Sequence, residues 1–455
     1  MRIKPLVASL IILAMLAPFH YADAADVVKQ KKEYTYEMVK RDLIALEKSY
    51  PDLVELKTIG KTEYGREIYA ISVGKGTPTA FVNASHHARE HFTTAIVMNQ
   101  IQDLLTRSET EDKVNTLLDH VTLWFVSMVN ADGVTLVQQG VSAFPEADRK
   151  AILAMNDGKT DFSRWKANAK GIDLNRQYPA DWANIKSNPG KKYYANYKGS
   201  SPLQTKENQA IMTFTYEINP QMTMSYHSSG QVIYWNFHND ESVIARDTKL
   251  ARQLAQITGY KLMTPTTNPS GGGYSDWFIQ TFKRPAYTPE LATSSGERPV
   301  KLNQFAEEWK RNKEVPIWLA ENAYILWRDE VQSKLIEEEV EITLTEKTKI
   351  YHSMNKSDSA YSTISPTTIK STAHWDKWYL VETWLGEKYI YVADAEIVTP
   401  VKTVNITKST KMHAIPYENS NVKGYLSPQT IKVITQTGNW SKVNTWLGEV
   451  WIQVK

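Results

Sequence analysis

The chain has no cysteine. That absence removes disulfide staples, thiolate metal sites and cysteine nucleophiles together. An excess of either charge is also missing: 53 Lys and Arg side chains stand against 50 Asp and Glu, a formal net charge of +3. So small an imbalance supplies no field for gripping nucleic acid or an anionic membrane. Beyond the first residues, no apolar run approaches the roughly 20 residues that a membrane span needs. Those first residues read as an address. "MRIK" is a basic start, "PLVASLIILAMLAPF" is a short apolar stretch, and Ala22, Asp23 and Ala24 give a small-residue cleavage pattern. Residues 1–24 are therefore expected to be a signal peptide, with a mature chain that starts at Ala25, leaves the cell in soluble form and keeps no membrane anchor.

What is present points to folded, multidomain material. A chain of 455 residues exceeds one hydrophobic core, and 42% apolar content with 11% aromatics suits globular domains. From Tyr34 onward, helical and strand-like patterns alternate. "REIYAISVG", "TAFVNAS", "VTLWFVSMVN" and "QMTMSYH" are short β-branched and aromatic runs bounded by turn residues. Helix candidates such as "HFTTAIVMNQIQDLLTR" and "LQTKENQAIMTFTYEI" lie between them. This alternation predicts an α/β domain over residues 25–338: a mixed, mostly parallel sheet with helices on both faces, closed by one helical stretch from Phe305. Such sheets bind ligands beyond the carboxyl ends of their strands.

After residue 338 the composition shifts to Thr, Ser, Lys and Trp, and a repeat appears. "SPTTIKSTAHWDKWYLVETWLGEKYIYV" starts at Ser365 and "SPQTIKVITQTGNWSKVNTWLGEVWIQV" at Ser427. The two align without a gap, so that Trp378 matches Trp440, Trp384 matches Trp446 and Gly386 matches Gly448. Two small all-β, barrel-like modules are expected, at 339–400 and 401–455. The default place for most of these tryptophans is the barrel core.

The chemistry concentrates in "TAFVNASHHAREHFTTA", residues 79–95. If "TAFVNAS" is a central strand, His86 to Glu90 emerge at its carboxyl end. His87 and Glu90, three apart, can be aimed at one point by a turn, and imidazole plus carboxylate is a partial zinc set. "HAREH" also fits the inverted H-x-x-E-H pattern, in which His87 and His91 bind metal and Glu90 is the base. That reading needs both histidines on one face of a regular helix, and Glu90 directly after a strand favours the His87/Glu90 pair. A third ligand should come from another strand end, where "QMTMSYHSSG" offers His227. "RPAYTPELA" places Glu290 at a fourth strand end as a candidate base.

Taken in order, His87-x-x-Glu90, "VNADG", "GIDLNRQYP", "SYHSSG", "SGGGYSDW" and "TPEL" resemble the zinc carboxypeptidase family over residues 34–330. The resemblance implies that His87, Glu90 and His227 hold Zn2+ and that Glu290 is a general base that later acts as acid. It implies further that Asn175 and Arg176 clamp a substrate carboxylate, for which arginine is the natural bidentate partner. There are departures. Lys166 stands where the family has an oxyanion-stabilising arginine, leaving Lys166, Arg164 and Arg89 as candidates for that role. The mobile-loop tyrosine is missing, with Tyr274 as its possible substitute. The side-chain pocket residue is Ser275, neither apolar nor acidic.

"RWKANAKGIDLNRQYP" and "SYHSSGQVIYW" are most similar to the bacterial branch that cuts peptidoglycan stems at the γ-D-glutamyl–diaminopimelate bond. The tail repeats resemble bacterial Src-homology-3-like modules of cell-wall hydrolases. The expectation is therefore a secreted zinc metallopeptidase acting on peptidoglycan, associated with the cell wall through its C-terminal repeats. A general extracellular carboxypeptidase that trims peptides is the second reading. An inactive wall-binding protein is the third.

Overall fold

The computed structural model describes residues 27–28, 32–356, 360–393 and 403–453. The expected signal peptide and the boundary expected at 400 lie outside these residues. Among the described residues no helix is long and apolar enough to cross a membrane.

Eight strands form the first sheet: β1 (Leu56–Lys61), β2 (Glu67–Val73), β3 (Thr79–Ala84), β4 (Thr122–Val126), β5 (Met222–Ser228), β6 (Val232–Tyr234), β7 (Lys261–Leu262) and β8 (Ala286–Leu291). Their order is β1-β2-β4-β3-β5-β8-β6-β7. The central β4, β3, β5 and β8 run parallel. β2 and β6 flank them antiparallel. The mixed, mostly parallel α/β sheet expected from the sequence is what forms, and the four runs read as strands are β2, β3, β4 and β5.

β3 and β4 are buried almost throughout because helices cover both faces. On one side the helix Phe92–Thr110, buried on nearly every face over its first fourteen residues, packs with the helix Val315–Gln332 in the larger core. On the other side the helices Lys206–Ile218 and Tyr274–Phe282 pack against Phe81, Trp124 and Ala286. The closing helical stretch is two helices, Phe305–Asn312 and Val315–Gln332. Pro316 explains the break, since its fixed φ and missing N–H suit the first turn of a new helix and not the middle of an old one.

The tail forms two six-stranded antiparallel sheets. The first comprises β9 (Ile336–Leu344), β10 (Thr348–Tyr351), β11 (Ser362–Ile364), β12 (Thr367–Trp375), β13 (Trp378–Thr383) and β14 (Gly386–Tyr391). The second comprises β15 (Thr403–Ile406), β16 (Thr410–His413), β17 (Val422–Leu426), β18 (Gln429–Thr437), β19 (Trp440–Thr445) and β20 (Gly448–Gln453). The orders β11-β10-β14-β13-β12-β9 and β17-β16-β20-β19-β18-β15 are the same topology. The cores repeat too: Ile342, Leu344, Ile350 and Val381 in one match Val404, Ile406, Met412 and Val443 in the other. β9 starts before the boundary expected at 338, and its Ile336 and Glu337 already pair with His374 and Ala373. We therefore place the first module's start just after the helix ending at Gln332.

The modules rest on the α/β domain. Trp327, Val331 and Leu335 share an apolar cluster with Tyr351, Met354 and Trp378. Tyr216 and Trp451 bring their rings within 6.1 Å, and Ile415 joins the core on the Phe81 face.

Candidate metal centre and active site

Parallel β3, β5 and β8 lie side by side, so their carboxyl ends open into one place. β3 ends at Ala84 and the chain turns at Ser85, whose φ of +55° is rare for a non-glycine residue. Ser85 is held there by its N–H donating to Thr93 Oγ1 at 3.0 Å and by its hydroxyl meeting Thr94 Oγ1 at 2.8 Å. The turn delivers His87 and, through the single 3-10 turn Ala88–Glu90, Glu90 to the same side. His227 comes from the end of β5, in register with Glu290 on β8.

His87, Glu90 and His227 form the one cluster able to hold a metal ion among the described residues. His87 Nδ1 lies 2.7 Å from Glu90 Oε1, His227 Nδ1 lies 2.9 Å from Glu90 Oε2, and the two Nδ1 atoms are 3.1 Å apart. Zinc with bonds of 2.0–2.1 Å in a tetrahedron needs donor separations of about 3.3 Å, so this buried set of two imidazoles and a carboxylate fits the ion. Burial alone would raise the Glu90 pKa. The His87 and His227 imidazoles outweigh it and hold the carboxyl well below the usual range. Glu90 therefore presents an anion, as a metal ligand must.

Behind the ligands stands a residue that sequence reasoning passed over. Asp173 is fully buried, and its Oδ1 lies 3.1 Å from His87 Nε2. Its Oδ2 lies 3.2 Å from Lys166 Nζ and 3.5 Å from Arg176 Nε. Burial pushes its pKa up, but Lys166, His87 and Arg176 together bring it well below normal. A carboxylate on the far nitrogen of a ligand histidine fixes its tautomer and ring orientation. Asp173 belongs to "GIDLNR", yet an orienting carboxylate has no fixed spacing from the ligand it serves, so no pattern pointed to it.

Glu290 lines the cleft with its carboxyl pushed up to about 7, chiefly by burial and then by Glu90, while His227, Lys166 and Arg89 oppose the shift. The cleft holds about 420 Å³ and is also lined by Lys166, Asn175, Arg176, Tyr234 and Ser275. Asn175 Oδ1 accepts from the Tyr274 N–H at 3.0 Å, and Arg176 donates to the Lys186 carbonyl. Ser275 Oγ meets Thr288 Oγ1 at 2.7 Å on the pocket wall. Tyr234, at the end of β6 and 48% exposed, faces the same space. Its signal was present in "QVIYW", where strand alternation turns Ile233 into the core and Tyr234 out of it.

Residues 39–315 match the zinc carboxypeptidase family. The chain belongs to that family. Among curated relatives, the γ-D-glutamyl-L-diamino acid endopeptidase 1 of Lysinibacillus sphaericus is 34% identical over 288 residues, covering 61% of this chain and 70% of that protein. Carboxypeptidase B of Bos taurus is 25% identical over 259 residues, 53% of this chain and 58% of the relative. Among solved structures, a carboxypeptidase A from Helicoverpa armigera matches with a TM-score of 0.51 at 19% identity, covering 65% of this chain and 74% of that one. Bovine thrombin-activatable fibrinolysis inhibitor matches with a TM-score of 0.52 at 17% identity, over 64% and 98%. This zinc carboxypeptidase is thus a hydrolytic zinc peptidase, and its cofactor is Zn2+.

Within the family frame, the cations left open by the sequence separate. Arg164 turns away, paired with Asp157 at 2.6 Å and stacked 3.8 Å over the Tyr194 ring. Arg89 donates to the Arg164 carbonyl at 3.0 Å and lies 3.7 Å from Glu297. Lys166 alone of the three lines the cleft. Tyr274 cannot stand in for a mobile tyrosine: it is fully buried, with its hydroxyl 3.2 Å from Thr215 Oγ1. His86 bonds Tyr178 at 2.8 Å, and His91 lies 3.5 Å from Glu33.

Proposed function

We propose that this zinc carboxypeptidase is exported, hydrolyses peptidoglycan stems at the γ-D-glutamyl–diaminopimelate bond, and is held on the wall by its Src-homology-3-like tail. The observation that carries the substrate class is the pair of hydroxyls, Ser275 and Thr288, on the cleft wall. Diaminopimelate offers one carboxylate to a clamp and a side chain ending in both an ammonium and a carboxylate. An apolar wall would desolvate that end at a cost of about 2–7 kcal/mol, and an acidic one would repel its carboxylate. The Ser275 and Thr288 hydroxyls, with Tyr234 beside them, avoid both penalties. The name of the Lysinibacillus sphaericus relative supports the same bond.

His87, Glu90 and His227 would hold the zinc, which when bound supplies a Lewis acid that acidifies water and polarises a carbonyl. Glu290 takes the proton of the attacking water and gives it to the departing amine, a carboxyl near 7 being suited to both transfers. Lys166, placed by Asp173 and by Asn196 Oδ1 at 3.1 Å, supplies a point charge for the developing oxyanion. Arg176 and Asn175 orient the substrate carboxylate.

The test is mass spectrometry of purified stem peptides incubated with enzyme, with and without a chelator. Diaminopimelate-containing fragments should appear only without chelator. A higher kcat/KM for release of Phe, Leu or Arg from ordinary peptides would favour the scavenging reading. Zinc-independent release would sink the mechanism.

A further inference from the structure

The repeat does not bury all its tryptophans. Trp378 and Trp440 are core residues at 6% and 8% exposure, whereas Trp384 and Trp446 stand 67% and 69% exposed. Each exposed tryptophan is followed by an exposed leucine, Leu385 or Leu447, in the two-residue loop that joins β13 to β14 or β19 to β20. The two loops are built alike. Thr383 Oγ1 donates to the Gly386 carbonyl at 2.7 Å and accepts from the Leu385 N–H at 3.0 Å. Thr445 repeats both bonds with Gly448 and Leu447, at 3.0 and 3.2 Å. Gly386 and Gly448 both adopt φ +78°, which glycine alone takes without strain.

The hairpin thus requires its threonine and its glycine. Nothing in it requires Trp-Leu, and a large apolar pair left in water at the same point of two copies marks a contact surface. A tyrosine stands near the first pair. Lys388 Nζ bonds the Leu385 carbonyl at 3.0 Å and lies 5.9 Å from the ring of Tyr361, which is 59% exposed. In the other copy Leu447 closes over Gly424, where a Cβ would come within 3.2 Å of its Cδ1. Both signs of charge flank each platform: Glu387 and Lys388 on one, and the ion pair of Lys442 with Glu449 on the other. The second module carries further lysines, Lys411 and Lys423 among them, but the first platform has no such excess, so a ligand common to both is not recognised by negative charge.

Resting on the reading of the tail as a wall-binding unit, we propose that the Trp384–Leu385 and Trp446–Leu447 turns are paired sites for the glycan strand of peptidoglycan. The apolar CH faces of successive amino-sugar rings would lie on the indole rings. Two equal platforms on one chain suit a polymer that repeats, because the second contact is made at the effective concentration set by the first.

The test uses the full chain with Trp384→Ala, Trp446→Ala and both together, co-sedimented with teichoic-acid-free peptidoglycan and, separately, with phosphatidylglycerol vesicles. Either single variant should bind peptidoglycan about tenfold to a hundredfold more weakly, and the pair should stay in the supernatant, because avidity supplies factors of this order. Hydrolysis of soluble stem peptides and the thermal midpoint should not change. A soluble β-linked N-acetylglucosamine oligomer should displace the parent protein. Conservative Trp384→Phe and Trp446→Phe changes should retain most binding, which separates lost stacking from lost folding. If the parent protein does not sediment with peptidoglycan, the wall reading itself fails. If it sediments and the double alanine variant sediments equally, only this inference fails. Displacement by free stem peptide and not by the sugar oligomer, or tryptophan-dependent sedimentation with vesicles, would also overturn it.

Discussion

Replacing Asp173 with asparagine probes the metal centre and the substrate cleft in one step. The amide matches the carboxylate in shape but carries no charge and offers an N–H to one of its neighbours. Three side chains lean on Asp173, His87 Nε2 at 3.1 Å, Lys166 Nζ at 3.2 Å and Arg176 Nε at 3.5 Å, and the Asn175 N–H donates to its Oδ1 at 3.1 Å. Loss of an orienting carboxylate behind a ligand histidine typically lowers metal affinity about 10–100-fold, equivalent to about 1.4–2.7 kcal/mol. Lys166 and Arg176 keep 17% of their side-chain surface exposed. Their lost partner should therefore cost about 1–3 kcal/mol of stability, below the range for fully buried pairs. Zinc affinity is read by competition with a chromophoric chelator, and kcat/KM is then measured at saturating zinc. A residual loss of kcat/KM under saturation reports Lys166 and Arg176, separately from the metal. Zinc affinity within twofold of the parent, with unchanged kcat/KM at saturation, would refute the role given to Asp173.

Other residues give sharper single outcomes. His227→Ala should lose zinc and turnover while His91→Ala keeps both, measured by metal content and stem hydrolysis; the reverse would restore the inverted motif. Glu290→Gln should keep zinc and fold but lose more than the 10²–10⁴-fold typical of one general-base step, since it handles the proton twice, and parent-like rates would mean another base. Ser275→Leu strips Thr288 of its 2.7 Å hydroxyl partner. A cost of about 1–3 kcal/mol, roughly 5–150-fold in kcat/KM on diaminopimelate stems, should follow, and no change would take Ser275 out of the pocket. Glu207 is fully buried, and burial, then Asp132, pushes its carboxyl up to about 8. The fold thus holds a proton that the unfolded chain releases, so its contribution to stability falls as pH rises from the ordinary carboxylate range to about 8. In urea unfolding, Glu207→Gln should match the parent near pH 4 and exceed it by a few kcal/mol near pH 8; an equal gap at both would refute this.

The central strands were legible because they are β-branched runs ending in turn residues, and a parallel sheet pools its functional groups at such ends. That logic reached His87, Glu90, His227 and Glu290. It could not rank Lys166, Arg164 and Arg89, because the outcome rests on which cation is already engaged, and Asp157 and Tyr194 engage Arg164 from outside the motif. Tyr274 failed for a different reason. It opens the helix Tyr274–Phe282 and turns inward, among Phe81, Tyr178 and Trp277. The tail shows a limit of pattern reading by residue type. Trp378 and Trp384 look alike in the repeat, and only the Thr-Trp-Leu-Gly turn signal separates a strand residue from a loop tip.

On the proposed wall-binding reading, the tail and the catalytic unit would divide the work between them in physical terms. The active cleft reads only a few atoms around one bond, through Arg176, Lys166 and the Ser275–Thr288 wall. The turns at Trp384 and Trp446 could touch many places on a polymer without choosing among bonds. Trp327 and Val331, on the last catalytic helix, pack with Tyr351 and Trp378 of the first module, so the link between the two units is a packed joint. A module held this way limits the directions from which an anchored polymer can reach the cleft. If the tail binds the strand as proposed, it would contribute orientation as well as local concentration, and the part of the polymer that meets Glu290 would be set by where the platforms hold the strand.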